Sequence, residues 1–151
     1  MGMLVETLRS LPPFVWSAQP PADPNELAKV EEQFGVRLPE DYRELLLYSD
    51  GGTVEGPKIE MNFESIEGLY GQNDDERFSE GLPGMFVIGD DGFGGIFFYD
   101  PEGRLGHGAY ALFDVKLGVL GFDDAVFAAA TLTEAVTLVL GGADFRKRAT
   151  Q

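Results

Sequence analysis

The sequence predicts an α+β domain, with helices packed on a mostly antiparallel sheet. Helical periodicity runs up to Gly52, strand periodicity takes over from residue 53, and one capped helix closes the chain. Because the strands form a run and do not alternate with helices, the order is that of an α+β rather than an α/β protein.

Near the N-terminus, Leu4, Val5, Leu8 and Leu11 mark a short amphipathic helix that Pro12-Pro13 ends. Trp16, the only tryptophan, follows in a Pro-rich connection. An exposed binding anchor is one role for it; packing beneath the helices is the role expected here. Asp23 can cap the next helix, Pro24 suits its first turn, and Glu26 completes a capping box. Leu27, Val30 and Phe34 form its apolar stripe, while Glu31 and Glu32 are expected to face outward. Gly35 is placed to end it in a left-handed conformation. Leu38-Pro39 then starts a second helix, with Glu40 and Asp41 at its positive end and Tyr42, Leu45, Leu46 and Ser49 on one face.

Beyond Gly51-Gly52, Ile59, Met61 and Phe63 alternate with Glu60, Asn62 and Glu64, the period of a strand with one wet face. Met85–Ile88, Gly95–Tyr99 and Ala109–Phe113 read as further strands, and Val119–Phe122 as another. Asp100-Pro101-Glu102-Gly103 is a turn between two of them. The segment from Tyr70 to Gly84 reads as a long, acidic, mobile loop. Thr131-x-x-Glu134 caps a last helix with Leu132, Ala135, Val136, Val139 and Leu140 on one face. The organisation expected is an N-terminal helix and connection over 1–22, an α+β domain over 23–142 and a basic tail over 143–151.

At 151 residues and 44% hydrophobic, the chain suits one domain with a full core. It shows no membrane-length apolar run and no secretory leader, and it has no cysteine, so a cytoplasmic protein without disulfides is expected. Net charge is −15, and residues 60–102 carry −10 of it: eleven carboxylates against Arg77. Direct nucleic-acid binding is disfavoured, since phosphate contacts need clustered Lys and Arg. The one basic cluster, Arg146-Lys147-Arg148, reads as a solvated tail. A basic protein partner fits this balance, although an acidic surface also serves solubility alone.

Trp16, the helix 24–34, Gly35-Val36-Arg37-Leu38-Pro39-Glu40-Asp41-Tyr42 and Asp50-Gly51-Gly52 together resemble the N-terminal signature of the SUKH superfamily. The later Phe86-x-Ile88-Gly89-Asp90-Asp91-Gly92-x-Gly94-Gly95, with Ile96–Asp100 and the closing helix, is similar to that family's second half. The superfamily takes in fungal regulators of cell-wall assembly and killer-toxin resistance and many bacterial immunity proteins. The resemblance implies a SUKH-like fold and a binding module that is not an enzyme, with no cofactor. Its partner would be a basic protein such as a toxin catalytic domain; a regulatory scaffold like the fungal members is the alternative. Residues 67–84 match no family pattern.

Enzyme chemistry finds little support. His107, the single histidine, lies between glycines and reads as a turn residue, so a triad or a His-rich metal site cannot be assembled. Asp90, Asp91, Asp100, Asp123 and Asp124 offer oxygen ligands for a hard cation, or an acid–base pair for a small cation-dependent hydrolase, but none falls at calcium-loop spacing. Gly89–Gly95 lacks the lysine of a phosphate loop and reads as a tight turn. The partner-binding residues expected are the carboxylates Asp74, Asp75, Glu76, Asp90, Asp91 and Asp100. Phe93 and Tyr99 join them as aromatic contacts, although strand aromatics also serve as core.

Overall fold

The computed structural model describes residues 2–146. Strands β1 (Trp16–Ala18), β2 (Gly52–Glu55), β3 (Glu60–Phe63), β4 (Phe86–Asp90), β5 (Gly95–Asp100), β6 (Ala111–Lys116) and β7 (Val126–Ala129) form one antiparallel sheet in sequential order. The mostly antiparallel α+β reading holds, and among the described residues every strand pair is antiparallel.

Helices α1 (Met3–Arg9), α2 (Pro24–Phe34), α3 (Glu40–Tyr48) and α6 (Leu132–Leu140) cover one face of the sheet. Their stripes meet Trp16, Val54, Met61, Phe63, Phe86, Phe97 and Tyr99 in the main core. Trp16 takes the packing role: it is buried and stacks on Tyr48, at 6.4 Å between ring centroids. The opposite face divides in two. Across β4–β7 it is apolar, with Val87, Ile96, Phe98, Phe113 and Val115 beneath Phe78 and Leu82. Across β1–β3 it is wet, and Thr53, Asn62 and Asp90 form a hydrogen-bonded row at 2.8 Å per link.

The helical pair forms as its residues dictate. Asp23 Oδ1 accepts from Asn25 N–H, and Gly35 ends α2 at φ 64°, a conformation only glycine adopts without strain. Glu31 corrects the expectation of an outward face. It is buried, accepts from Leu38 N–H at 2.8 Å, and pairs with Arg43, so its carboxylate holds the corner between α2 and α3. Helical periodicity places Glu31 beside the stripe, and only the returning chain gives it partners.

Two further expectations change. Residues 70–84 are no continuous loop: α4 (Ile66–Asn73) and α5 (Glu76–Gly81) occupy most of the segment. Ser65 and Asp75 cap them through Gly68 and Arg77 N–H, while interior glycines hid their periodicity from the sequence. Val119–Phe122 is not a strand; two 3-10 turns, Leu117–Val119 and Phe122–Asp124, lie there, and the final strand is β7. Residues before 23 and after 142 share the one core, through Leu4 and Leu8 at one end and Phe145 at the other. Lys147 and Arg148 of the basic cluster lie outside the described residues.

Candidate functional site at the turn end of the sheet

The Asp90–Gly95 turn joining β4 to β5 is built by its own side chains. Asp90 Oδ1 accepts from Gly92 N–H at 2.9 Å, and Asp91 Oδ1 accepts from Phe93 N–H at 2.8 Å and Gly95 N–H at 3.0 Å. Gly92 and Gly94 both take positive φ, 78° and 86°, so the chain doubles back and presents Phe93 outward. Phe93 is 55% exposed. The Leu117–Val119 turn lies alongside, with Leu117 N–H donating to Gly94 O at 2.8 Å. Leu117, Val119 and Phe122 are exposed as well, so four of the seven exposed large hydrophobics among the described residues gather at this end of the fold.

Carboxylates lie near these apolar residues, with Arg146 over the face of Phe93. Asp90 and Glu60 lie at the open sheet face, and Asp123 and Asp124 stand exposed on the far side. Glu64 neighbours Asp90; burial and that charge raise its pKa, while a hydrogen bond from Gln72 acts the other way. A groove of about 390 Å³ runs between the turn and α5, with Gln72, Arg77 and Phe78 on one wall and Asp90, Gly92 and Leu117 on the other. Asp75 caps α5 and pairs with Arg77 at 3.1 Å, which holds its carboxyl below the usual range. Asp74 and Glu76 are exposed beside it.

The predicted site residues therefore divide. Asp90 and Phe93 stand at the turn, and Asp74, Asp75 and Glu76 flank the groove. Asp91, Tyr99 and Asp100 are corrected, because all three are fully buried. Asp91 shapes the turn from within. Tyr99 packs against Tyr42 in the core, at 5.8 Å between ring centroids. Asp100 accepts from Arg104 N–H at 3.0 Å and Leu105 N–H at 2.8 Å and so folds the β5–β6 connection. A buried carboxylate held by backbone donors is a structural part, not a docking surface.

The cation cluster of Asp90, Asp91 and Asp100 does not assemble either. Asp91, in the turn after β4, faces Gly95 at the start of β5, and Asp100 ends that strand, roughly 17 Å away along five residues. Among the described residues no group of three or more Asp, Glu or His is arranged to hold a metal. His107 is exposed and stacks on Phe127, 4.3 Å between ring centroids.

Asp114 is the residue the sequence reading missed. It shares strand parity with the inward Leu112, so its carboxyl points to the helix-covered face. There it meets Asp91 above the Cα of Gly95, where a Cβ would lie 2.6 Å from Asp114 Oδ1. Oδ2 of Asp114 and Oδ2 of Asp91 are both buried without a donor. Burial, then the neighbouring Asp91, push the Asp114 carboxyl up to about 8. Burial and the neighbouring carboxylate thus both favour the protonated form of Asp114. Asp-Val inside an apolar strand run, in register with Leu112, was the available signal. Arg146 lies at the edge of this pair, forked onto Asp144 at 2.7 and 2.8 Å and stacked 4.2 Å over Phe93.

Among the described residues no helix is long and apolar enough to cross a membrane. The Uncharacterized protein YnaB of Bacillus subtilis (strain 168) is 37% identical over 62 residues, 40% of this chain. That match spans 40% of the relative's own length. The model of the SMI1/KNR4 family (SUKH-1) matches residues 21–136, from the residues before α2 into α6 and across the Asp90–Gly95 turn. With its helical corner, strands β2 to β7 and the Gly/Asp turn inside that span, the chain belongs to the SMI1/KNR4 (SUKH-1) family.

Proposed function

We propose that this protein is a non-catalytic, intracellular binding module of the immunity type, which neutralises a basic toxin domain by docking it on the turn end of its sheet. The observation that carries this reading is exposed Phe93 on its glycine turn, with exposed Leu117 in the adjoining turn, Val119 beside Arg146, and the carboxylates Asp90, Glu60 and Asp124 nearby. An apolar centre that excludes water within a charged rim is the anatomy of a protein interface. The net charge of −15 sets the sign of its partner, because complementary fields speed encounter and fix orientation. Toxins that act on nucleic acid are basic, and bacterial members of the SUKH superfamily commonly neutralise toxins, so a nuclease domain is the partner class this surface fits.

The test begins with affinity capture of the partner from the native cell and measurement of its binding by the purified proteins. Phe93→Ala should weaken binding by about tenfold or more, the range of a hot-spot aromatic, while leaving thermal stability unchanged. The association rate should fall steeply between low and physiological salt. A partner that binds Phe93→Ala and Phe122→Ser variants as tightly as wild type docks elsewhere and overturns the assignment.

A further inference from the structure

Three consecutive residues carry the C-terminal segment onto the Phe93 turn. The Asp144 carboxylate accepts from the backbone N–H, Nε and Nη2 of Arg146, at 3.1, 2.8 and 2.7 Å, and its side chain is 4% exposed. Phe145 is fully buried and meets Phe97 of β5 edge-on, 6.0 Å between ring centroids. Arg146 then sets its guanidinium carbon 4.2 Å from the centre of the Phe93 ring. Building on the interface assigned above, we propose that Arg146 is a positioning residue for it, whose guanidinium holds the Phe93 ring in one outward pose before a partner arrives.

The turn by itself does not fix that ring. Phe93 stands between Gly92 and Gly94, both at positive φ, and glycine gives a backbone its widest freedom. Gly94 has open space where a Cβ would lie, so no packing stiffens the tip there. Asp91 Oδ1 holds the Phe93 N–H at 2.8 Å, which settles the main chain and leaves χ1 its staggered choices. A half-exposed aromatic of this kind samples several rotamers, and ordering it on binding costs affinity. Arg146 supplies the restraint. Its Nε and Nη2 are forked onto a buried carboxylate, so the cation that meets the ring is itself held in place. Phe145, seated against Phe97, ties that arrangement to the sheet.

The sign of the charge separates this role from plain attraction. In a protein of net charge −15 that binds a basic partner, an arginine at the apolar centre opposes encounter, and on charge alone its removal should tighten binding. Positioning predicts the reverse. It also sorts the chemistry of the partner. One face of the ring is taken by a guanidinium, which repels a second cation from the other face. Phe93 therefore receives an apolar or aromatic side chain of the partner, and the partner's lysines and arginines fall on Asp90, Glu60 and Asp124.

NMR of the full chain tests the hold on the ring without a partner. In wild type the scalar couplings of Phe93 should report one χ1 rotamer, and the Arg146 side-chain protons should be shifted upfield by the ring. Arg146→Ala should return Phe93 to rotamer averaging. Arg146→Lys, which keeps the cation and loses the fork, should restore part of the order. Arg146→Gln, neutral and long enough to cover the same surface, replaces the alanine variant if that chain does not fold. An averaged Phe93 in wild type, or an ordered one once the cation is gone, overturns the role. With a captured partner, Arg146→Ala should weaken binding about threefold to tenfold, and should add nothing in a Phe93→Ala background. Equal or tighter binding by Arg146→Ala overturns the positioning role and leaves the interface standing. A partner indifferent to Phe93→Ala removes the interface and the role together. Should no partner be captured while Phe93 is ordered only in the presence of Arg146, the arginine's hold on the ring stands and the immunity reading fails.

Discussion

At Asp114 the physics of a single residue opposes the stability of the fold. Its carboxyl ionises near 3.8 in an unfolded chain and at about 8 in the folded protein. Stability from this group is fully present below the unfolded value and is lost as pH rises towards about 8, because the folded state holds a proton that the unfolded state releases. Urea unfolding followed from pH 4 to pH 9 should show that decline. Asp114→Asn should remove it, leaving the variant more stable than wild type on the order of a few kcal/mol at pH 8. A variant equal to or weaker than wild type at pH 8 would mean the pair carries no net penalty. Gly95 is the neighbouring control. A Cβ there would overlap Asp91 Oδ2 and lie 2.6 Å from Asp114 Oδ1, so both buried carboxyls must shift, and Gly95→Ala should lower stability by roughly 1–3 kcal/mol, visible in the same titration.

For the elements, the informative case is the corner between α2 and α3. Helix propensity and capping start and stop each helix, but the angle between them is held by Glu31 through Leu38 N–H and Arg43. Glu31→Ala leaves a part-buried guanidinium and a buried amide without their acceptor, and should destabilise the protein by about 2 kcal/mol in chemical denaturation. Glu32→Ala, one residue on and exposed, should change it by less than about 0.5 kcal/mol. Helix α5 makes the complementary point. It is short, and Phe78 within it and Leu82 just after it are buried on the far face of the sheet, a contact that makes its turn worth forming.

Over the whole molecule, the −15 charge acts on folding and on encounter in opposite directions. Self-repulsion opposes compaction, so adding sodium chloride between about 20 and 200 mM should raise the melting temperature of the free protein. The same salt slows association with a cationic partner, so the two measurements move in contrary senses. A melting temperature that falls over this range would show that specific surface ion pairs outweigh the net field.

The sequence by itself determined the α+β class, helices α1 to α3 and α6, the capped helical corner at Gly35, the Gly/Asp turn and the sign of the charge. Each depends on local chemistry: caps, left-handed glycines, apolar period and a carboxylate count. Only the tertiary structure decided which carboxylates face solvent. Asp90 and Asp91 are adjacent in the chain, yet one joins the wet row with Asn62 and the other points into the protein. The bend of the turn and the approach of β6 set that difference, and neither is written in the spacing of the residues. Asp114 joined Asp91, and Leu117, Val119 and Phe122 joined Phe93, because sheet pairing brings together residues more than twenty positions apart.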